Sequence, residues 1–472
     1  MPDAGSAPTE NADLERFGYR QELKRGLSLK HLLVYGLVFM VPIAPFSIFG
    51  GVFDASHGMV PLTYLIGFVA MIFTAVSYQQ MSRAFPIAGS VYSYAGRGIS
   101  PSVGFLAGWS ILLDYLLIPT LLYVIGANAM ANVFPSVPQP VWIVAFVLVN
   151  TVVNLRGIEA TAKANNVFLV GQLIVLGIFV GFAAWAISGG INGASWTTLP
   201  FYNPAEFSAP LVFTALSVAV LSFLGFDAIS TLSEETVGGN RVVGRATVIA
   251  LCIVAALFVL QTYLAALLEP GITAYPTTEA SNNAFYDIGR MIAGPWLQVV
   301  IALAVAIGSA VANSLVAQSA TSRLLFSMAR DGKLPAFLKV IHPETRIPQR
   351  AILLVAGLSL VLGLFFVGQI NLLASLCNFG ALTAFLLLHV SVVVHHVVRQ
   401  RSRRFGVHLV VPVIGFLIIG YVLVNADVNA KVGGLTWIVI GLVIIAVFKA
   451  TGRSTELRAS DAPLDAADLT PR

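Results

Sequence analysis

The chain has 472 residues, 57% of them hydrophobic and only 10% charged, with a mean hydropathy of +0.85. A soluble domain carries about 25% charged residues, so the composition excludes a water-soluble globular protein and defines an all-α polytopic membrane protein. A net charge of +5 and a pI near 9.2 would suit nucleic acid, but the placement of the basic residues excludes that reading.

Residues 1–30 form a polar tail of mixed charge ending in the basic Lys24-Arg25, with no short apolar core and cleavage site, so no removable signal peptide is expected. Apolar runs of about 20 residues, each long enough for a core of about 30 Å, follow at about 31–54, 60–82, 102–131, 139–155, 163–188 and 209–233. Further runs lie at about 243–268, 295–325, 350–368, 371–398, 408–425 and 433–450. Twelve transmembrane helices are therefore predicted, with a short amphipathic segment at 87–100. The runs at 102–131 and 295–325 are the longest and imply tilt. The tail 451–472, with Asp461, Asp465 and Asp468 among Ala and Pro, is expected to be disordered.

Charge tests this map. Of the 27 Lys and Arg, all but Arg290 and Lys431 fall on the side that the map gives to both termini. The positive-inside rule makes that side cytoplasmic in a multi-pass cell-membrane protein. Cys252 and Cys377 are too few for a disulfide framework and too far apart for a metal motif, so buried free thiols are expected.

Two runs contain expensive interruptions. SFLGFDAISTLSEET, residues 222–236, puts Gly225 and Asp227 inside a spanning segment and Glu234-Glu235 at its end. Gly weakens a helix by about 1 kcal/mol relative to Ala, and an acid at a helix centre costs about 2.5–3.5 kcal/mol on insertion scales. The first run is interrupted by Pro42, Pro45, Gly50 and Gly51. Paired breaks in corresponding positions of two halves point to a transporter's binding site. A proline kink in one run and a Gly packing contact in the other is the alternative.

Three ordered stretches carry a family resemblance: FPIAGSVYSYAGRGISPSVGFLAGW at residues 85–109, SFLGFDAISTLSEET in the sixth run, and SATSRLLFSMARDGKLP at 319–335. They resemble signatures of the amino acid–polyamine–organocation superfamily, over nearly the whole chain from about 25 to 450. Within it, FLGFDAISTLSEET and GWSILLDYL are most similar to bacterial putrescine importers. The resemblance implies a LeuT-type fold, with inverted five-helix repeats at 31–188 and 209–398 and two additional helices at 408–450. It also implies a substrate held between the broken first and sixth helices, alternating access, and a coupling ion, taken here to be a proton.

At such a site the free N–H groups of one half-helix attract a carboxylate and the free carbonyls of another accept from an ammonium. An α-amino acid needs both ends; a diamine needs two acceptor patches. Ile43, Ala44, Pro45, Phe46 and Ser47 would supply the first break, and Ser222, Phe223, Gly225 and Phe226 the second, with rings for cation–π contact. Asp227 either faces an ammonium or caps the second half of the helix by accepting N–H groups near Ser230. Asp114, deep in the third run, either handles substrate or a proton, or bonds to a neighbouring helix. Glu234 and Glu235, near Arg241, Arg245 and Arg83, form an inward gate or a structural network rather than a binding site. Ser309, Asn313, Ser314 and Gln318 form i, i+4 pairs that serve helix packing or an ion or water site. His389, His395 and His396 are expected at the membrane interface.

Two departures from the resemblance bear on mechanism. Putrescine importers carry an acid at the first break where this chain has Ser47, which weakens the case for a doubly charged diamine. Proton-coupled amino acid members carry a lysine in the fifth helix where this chain has Gln172, which leaves coupling open. The leading reading is a secondary active importer of amino acids or polyamines, with an exchanger or uniporter of the same fold as alternative. No enzyme motif such as H-E-x-x-H and no nucleotide-binding loop is present. A channel or a non-transporting sensor are the readings from other classes. A small-molecule substrate and the lipid bilayer are the expected partners; no nucleic acid, obligatory protein partner, metal or cofactor is expected.

Overall fold

The computed structural model describes residues 25–451 apart from 86, 88, 135, 157, 238, 239, 368 and 427, so most of the two predicted tails lies outside the described residues. In chain order the first helices are α1 (Leu29–Met40), α2 (Pro45–Ser56), α3 (Val60–Ala84), α4 (Ser90–Gly98), α5 (Pro101–Val133), α6 (Gln139–Leu155), α7 (Ile158–Ser188) and α8 (Ala209–Ala219). Then come α9 (Asn240–Leu267), α10 (Thr278–Ala293), α11 (Pro295–Ile307), α12 (Ser314–Arg330), α13 (Gln349–Phe365), α14 (Ile370–Val392), α15 (Val411–Val424) and α16 (Val428–Ala450).

Among the described residues, nine helical segments are long and apolar enough to cross a membrane, one of them the interrupted Ala209–Glu235. A tenth is the pair α1 and α2, bent by 52° at its break. The apolar helices α6 and α13 are shorter, at 17 residues each, or about 25 Å at a rise of 1.5 Å per residue. Helix is the form this chain must take, because lipid offers no partner to a backbone N–H or carbonyl. The outer surface fits that solvent: Val167, Leu417 and Val424 are 71%, 63% and 72% exposed, which would be costly in water.

The interior holds the polar residues. Asn154 donates to Gln318 at 2.8 Å, Gln318 donates to Thr151 at 3.1 Å, and Thr321 donates to the Tyr115 carbonyl at 2.6 Å, joining α12 to α6 and α5. Gln318 is thus a packing residue, one of the two readings the sequence left open. His389 is buried rather than interfacial, because Thr74 and Ser77 of α3 reach its two ring nitrogens at 3.1 and 3.0 Å. Cys377 is a buried free thiol, whereas Cys252 is free but exposed on the outer surface of α9, against expectation.

The predicted amphipathic segment at 87–100 forms α4 over Ser90–Gly98. Helix α10 was not foreseen, although its signals are present. Thr277 caps it by accepting from the Ala280 N–H at 3.1 Å, Glu279 sits in its first turn, and Gly294 at φ 93° ends it. It packs on α2 so closely that a Cβ on Gly50 would lie 1.9 Å from the Ser281 carbonyl oxygen, while one on Gly51 would meet nothing within 4 Å. Gly50→Ala is therefore expected to destabilise the detergent-purified protein by about 1–3 kcal/mol or more, and Gly51→Ala by no more than about 0.5 kcal/mol. Thermal melts of the two variants check this; equal melting points would contradict the close approach.

Candidate substrate site

The first break spans residues 41–44. Val41 adopts φ 51° and Pro42 has no N–H to continue α1, so the helix stops there. Pro45 then occupies the first turn of α2, where a proline starts a helix rather than breaking it. The interruption thus lies about two residues earlier than the sequence placed it, and Gly50 and Gly51 sit inside α2. Phe46 and Ser47 also belong to α2, and the Ser47 hydroxyl donates to the Ala44 carbonyl at 2.9 Å. The Pro42 carbonyl accepts from Gln261 of α9 at 2.8 Å, so Gln261 holds the break. The sequence reading missed this residue, because nothing local marks a partner 219 positions away.

The second break follows α8. The chain tightens into a 3-10 turn at Val220–Phe223, runs extended through Leu224, turns at Gly225 with φ 115°, and continues as a 3-10 helix over Phe226–Glu235. Only glycine adopts that φ freely, and a Cβ there would lie 2.8 Å from the Phe39 ring of α1. The two breaks therefore touch. The half-helices α1 and Phe226–Glu235 run in opposite directions, because Phe39 near the end of α1 meets Gly225 before the start of the other, while Leu27, just before α1, bridges Thr236, just after its end.

One cavity of about 60 Å³ opens between them. Phe39, Met40, Val41, Ala44, Ser47 and Ile48 line it from the first break, and Leu221, Ser222 and Leu224 from the second. Ile118, Leu121, Leu122 and Ile125 of α5 close one side, and Ser309 and Asn313 the other. Of the residues proposed from sequence, Ala44, Ser47, Ser222, Ser309 and Asn313 are on this wall. Ile43, Pro45, Phe46, Phe223, Gly225, Phe226, Asp227 and Asp114 are not. The rings proposed for cation–π contact are engaged elsewhere: Phe46 with Phe179 and Phe285, Phe223 with Tyr64 and Phe258, Phe226 with Tyr78 and Phe385. Phe39 is the aromatic residue on the wall, and the sequence reading did not name it. No residue lining the cavity, among those described, is charged.

Ser309 and Asn313 reach the cavity because residues Gly308–Asn313 form a π-helical turn between α11 and α12. Such bulges recur at functional sites. Asn150 donates to the Ala310 carbonyl inside this turn at 2.9 Å. Gln172 of α7 stands behind it, with its amide 3.7 Å from where a Gly308 Cβ would be and with Ile43 of the first break beside it. Both amide atoms of Gln172, and the Asn313 side-chain oxygen, are buried without a hydrogen-bond partner.

The acidic residues take other positions. Asp227 accepts from the Tyr115 hydroxyl at 2.6 Å and from the Gly225 N–H at 3.3 Å. It does not cap forward onto Ser230; instead the Ser230 hydroxyl donates to the Asp227 carbonyl at 2.6 Å. The carboxylate thus ties α5 to the break itself. Glu235 pairs with Arg323, whose Nη2 donates at 3.0 Å, and Glu234 takes a bidentate pair from Arg330 at 2.7 and 3.0 Å, all four side chains buried. The sequence reading named Arg241, Arg245 and Arg83 instead; Arg241 and Arg245 are exposed, and α12 supplies the two cations that reach the glutamates. These pairs, with the Leu27–Thr236 bridge, hold the far end of the half-helix that follows the second break. Removing one member of a buried pair strands the other charge at about 3–5 kcal/mol, whereas an apolar replacement of both is tolerated. Arg323→Ala should therefore lower stability by about that amount, and Arg323→Leu with Glu235→Leu should recover most of it in thermal melts.

An aromatic cluster packs on the start of α2, just after the first break. Phe46 stacks on Phe285 of α10 at 4.0 Å, Phe179 packs on both, and Phe49 joins edge-on at 5.6 Å. Beyond it, a larger cavity of about 390 Å³ includes His57 and Glu269, with His57 bonded to Glu206 at 2.7 Å. Burial, with Asp287 adding repulsion, pushes Glu269 up to about 7. An unfolded glutamate titrates near about 4.3, so between about pH 4.3 and about pH 7 the folded chain holds the extra proton and stability falls as pH rises. Glu269→Gln should flatten the fall in melting temperature between about pH 5 and about pH 7 that the unaltered protein shows.

A membrane protein that interrupts two helices at one depth, and satisfies the interruptions with side chains from a distance, has made room for a solute between them: this is a permease. Comparison with known proteins gives the same class. Residues 31–448 match the amino acid permease family, and the chain belongs to that family. It is 34% identical to the low-affinity putrescine importer PlaP of Escherichia coli K12, over 90% of this chain and 94% of that protein. It is 25% identical to the branched-chain amino acid permease BcaP of Bacillus subtilis, over 91% and 94% of the two chains, and 26% identical to the methylthioribose transporter of the same organism over the same shares. All three are transporters, and the chain is a multi-pass membrane permease rather than an enzyme.

Proposed function

We propose that the chain is a secondary active transporter that imports amino acids or polyamines across the cell membrane by alternating access, with protons as the coupling ion. In this reading the ten long spans and the shorter α6 and α13 make twelve. Residues 31–188 and 209–398 are inverted repeats of LeuT type, and 408–450 are the two additional helices. The segregation of Lys and Arg supports cytoplasmic termini, which puts the Glu234–Arg330 and Glu235–Arg323 clamp on the cytoplasmic side and the aromatic cluster outside.

The observation that supports this best is that both helix breaks line one small cavity, with ion pairs at the far end of the half-helix after the second break and an aromatic cluster on the half-helix after the first. A channel needs a continuous path, and separate sets of contacts on the two half-helices suit alternate opening instead. The wall also favours amino acids over diamines. It has no carboxylate for a second ammonium, and the Ile and Leu side chains of α5 suit an apolar side chain.

Purified protein in proteoliposomes should take up leucine or putrescine saturably and lose that uptake with a protonophore, with leucine preferred. Ser47→Leu, which fills the cavity, should weaken uptake by about tenfold or more, equivalent to about 1.4 kcal/mol, without lowering the melting temperature. Uptake unchanged in Ser47→Leu would move the site elsewhere, and uptake that tracks sodium after the proton gradient collapses would reject proton coupling.

A further inference from the structure

We propose that the cavity of about 390 Å³ beside His57 is a second binding site, for an organic ammonium ion, with the Glu269 carboxylate as its counter-ion. It is a separate place from the cavity between the breaks. His57, on its wall, caps the C-terminal end of α2, about 15 Å along that helix from Ser47 at a rise of about 1.5 Å per residue. Three parts of the chain make the wall: the end of α2, residues 195–203 between α7 and α8, and residues 266–273 at and beyond the end of α9. Cross-links fix them. The Tyr263 hydroxyl of α9 donates to the Thr197 carbonyl at 2.9 Å, and Asn192 donates to the Leu268 carbonyl at 2.9 Å. The bond of His57 to Glu206 at 2.7 Å joins the end of α2 to the segment before α8. The cavity is thus preorganised, and its volume falls in the range of about 300–1,000 Å³ usual for small-molecule sites.

Charge says what the cavity would hold. The basic group on the wall is His57, and Glu206 already takes it. Glu269 is half-buried, and among the described residues its carboxylate has neither a hydrogen bond nor an ion pair. A carboxylate drawn out of water without a partner is costly, and an arriving cation relieves that cost. The backbone contributes the same sign. Both α2 and α9 end at this cavity, with Phe53 and His57 on the wall from one and Ala266 and Leu267 from the other. Helix C-termini carry negative partial charge and favour cations. A single carboxylate falls short of the about six or more oxygens that a hard metal ion takes, whereas Phe53, Leu199, Leu267 and Ile272 on the same wall suit a hydrocarbon chain. An ammonium ion with an apolar body meets both requirements. A carboxylate on the ligand would be repelled by Glu269, so this site prefers an amine to an amino acid, the reverse of the preference proposed for the cavity between the breaks.

The transport reading supplies only the placement of this cavity on the outer face; the binding does not depend on it, and the test keeps the two apart. Purified full-length protein is titrated calorimetrically with 3-methylbutylamine, and with 3-methylbutanol as the uncharged compound of similar shape. The titrations run at about pH 8, where Glu269 is ionised, since burial pushes it up to about 7. The amine should bind saturably and the alcohol should not. Ser47→Leu, which fills the cavity between the breaks, should bind the amine as the unaltered protein does. Glu269→Gln, confirmed folded by thermal melt, should weaken amine binding by about tenfold or more, and Glu269→Asp should restore part of it. Equal binding of amine and alcohol, no saturable amine binding, amine binding unchanged in Glu269→Gln, or amine binding lost in Ser47→Leu would each overturn the second site. If proteoliposomes of the unaltered protein take up neither leucine nor putrescine, the importer reading fails while the calorimetric result still decides this site.

Discussion

A peptide group in hydrocarbon must find its hydrogen-bond partner inside the protein, and the structure is arranged around the two places where a helix stops providing one. Each interruption is compensated from a distance. Gln261 of α9 accounts for the Pro42 carbonyl, and Asp227, held in turn by the Tyr115 hydroxyl of α5, takes the Gly225 N–H. Asn150 does the same for the π-helical turn on the facing side. A core of Ser, Thr, Asn and Gln side chains with a greasy exterior is the price of keeping irregular backbone at that depth. The polar interior is what lets the cavity exist.

The contacts that hold the two half-helices differ in chemistry. The half-helix after the second break is held by two buried ion pairs and a short backbone bridge, the one after the first by stacked phenylalanines and a close backbone approach at Gly50. Buried ion pairs are directional and break in discrete steps, and their desolvation cost nearly cancels their attraction. Aromatic packing is non-directional by comparison and rests on buried apolar area. The two sets of contacts thus rest on different forces, one on charge and one on packing.

Much of the architecture was legible in the sequence because a bilayer imposes a simple code: about 20 apolar residues per crossing, with Lys and Arg sorted between loops. Pro42, Pro45 and Gly225 were also readable, since proline and glycine act through the backbone and need no tertiary context. What resisted was anything set by side-chain direction. The rings of Phe46, Phe223 and Phe226 lie near the breaks in sequence but point into helix contacts, while Phe39, one turn before the first break, is on the cavity wall. The partners of Glu234 and Glu235 lie 96 and 88 residues away, beyond the loop-neighbour arginines that proximity suggested. Helix α10 was legible from its Thr277 cap but was passed over, because its amphipathic composition fails a search tuned to continuous apolar runs.

The strand-like stitch at Leu27 adds one more property. Gly26 and Leu27 both donate to the Glu235 carbonyl at 3.0 Å, and the Val237 N–H donates back to Leu27 at 2.9 Å. Gly26 and Leu27 are thereby tied to the foot of the sixth helix. The segment leading into α1 and the foot of the sixth helix therefore form one hydrogen-bonded unit, and the ion pairs of Glu234 and Glu235 lie within it.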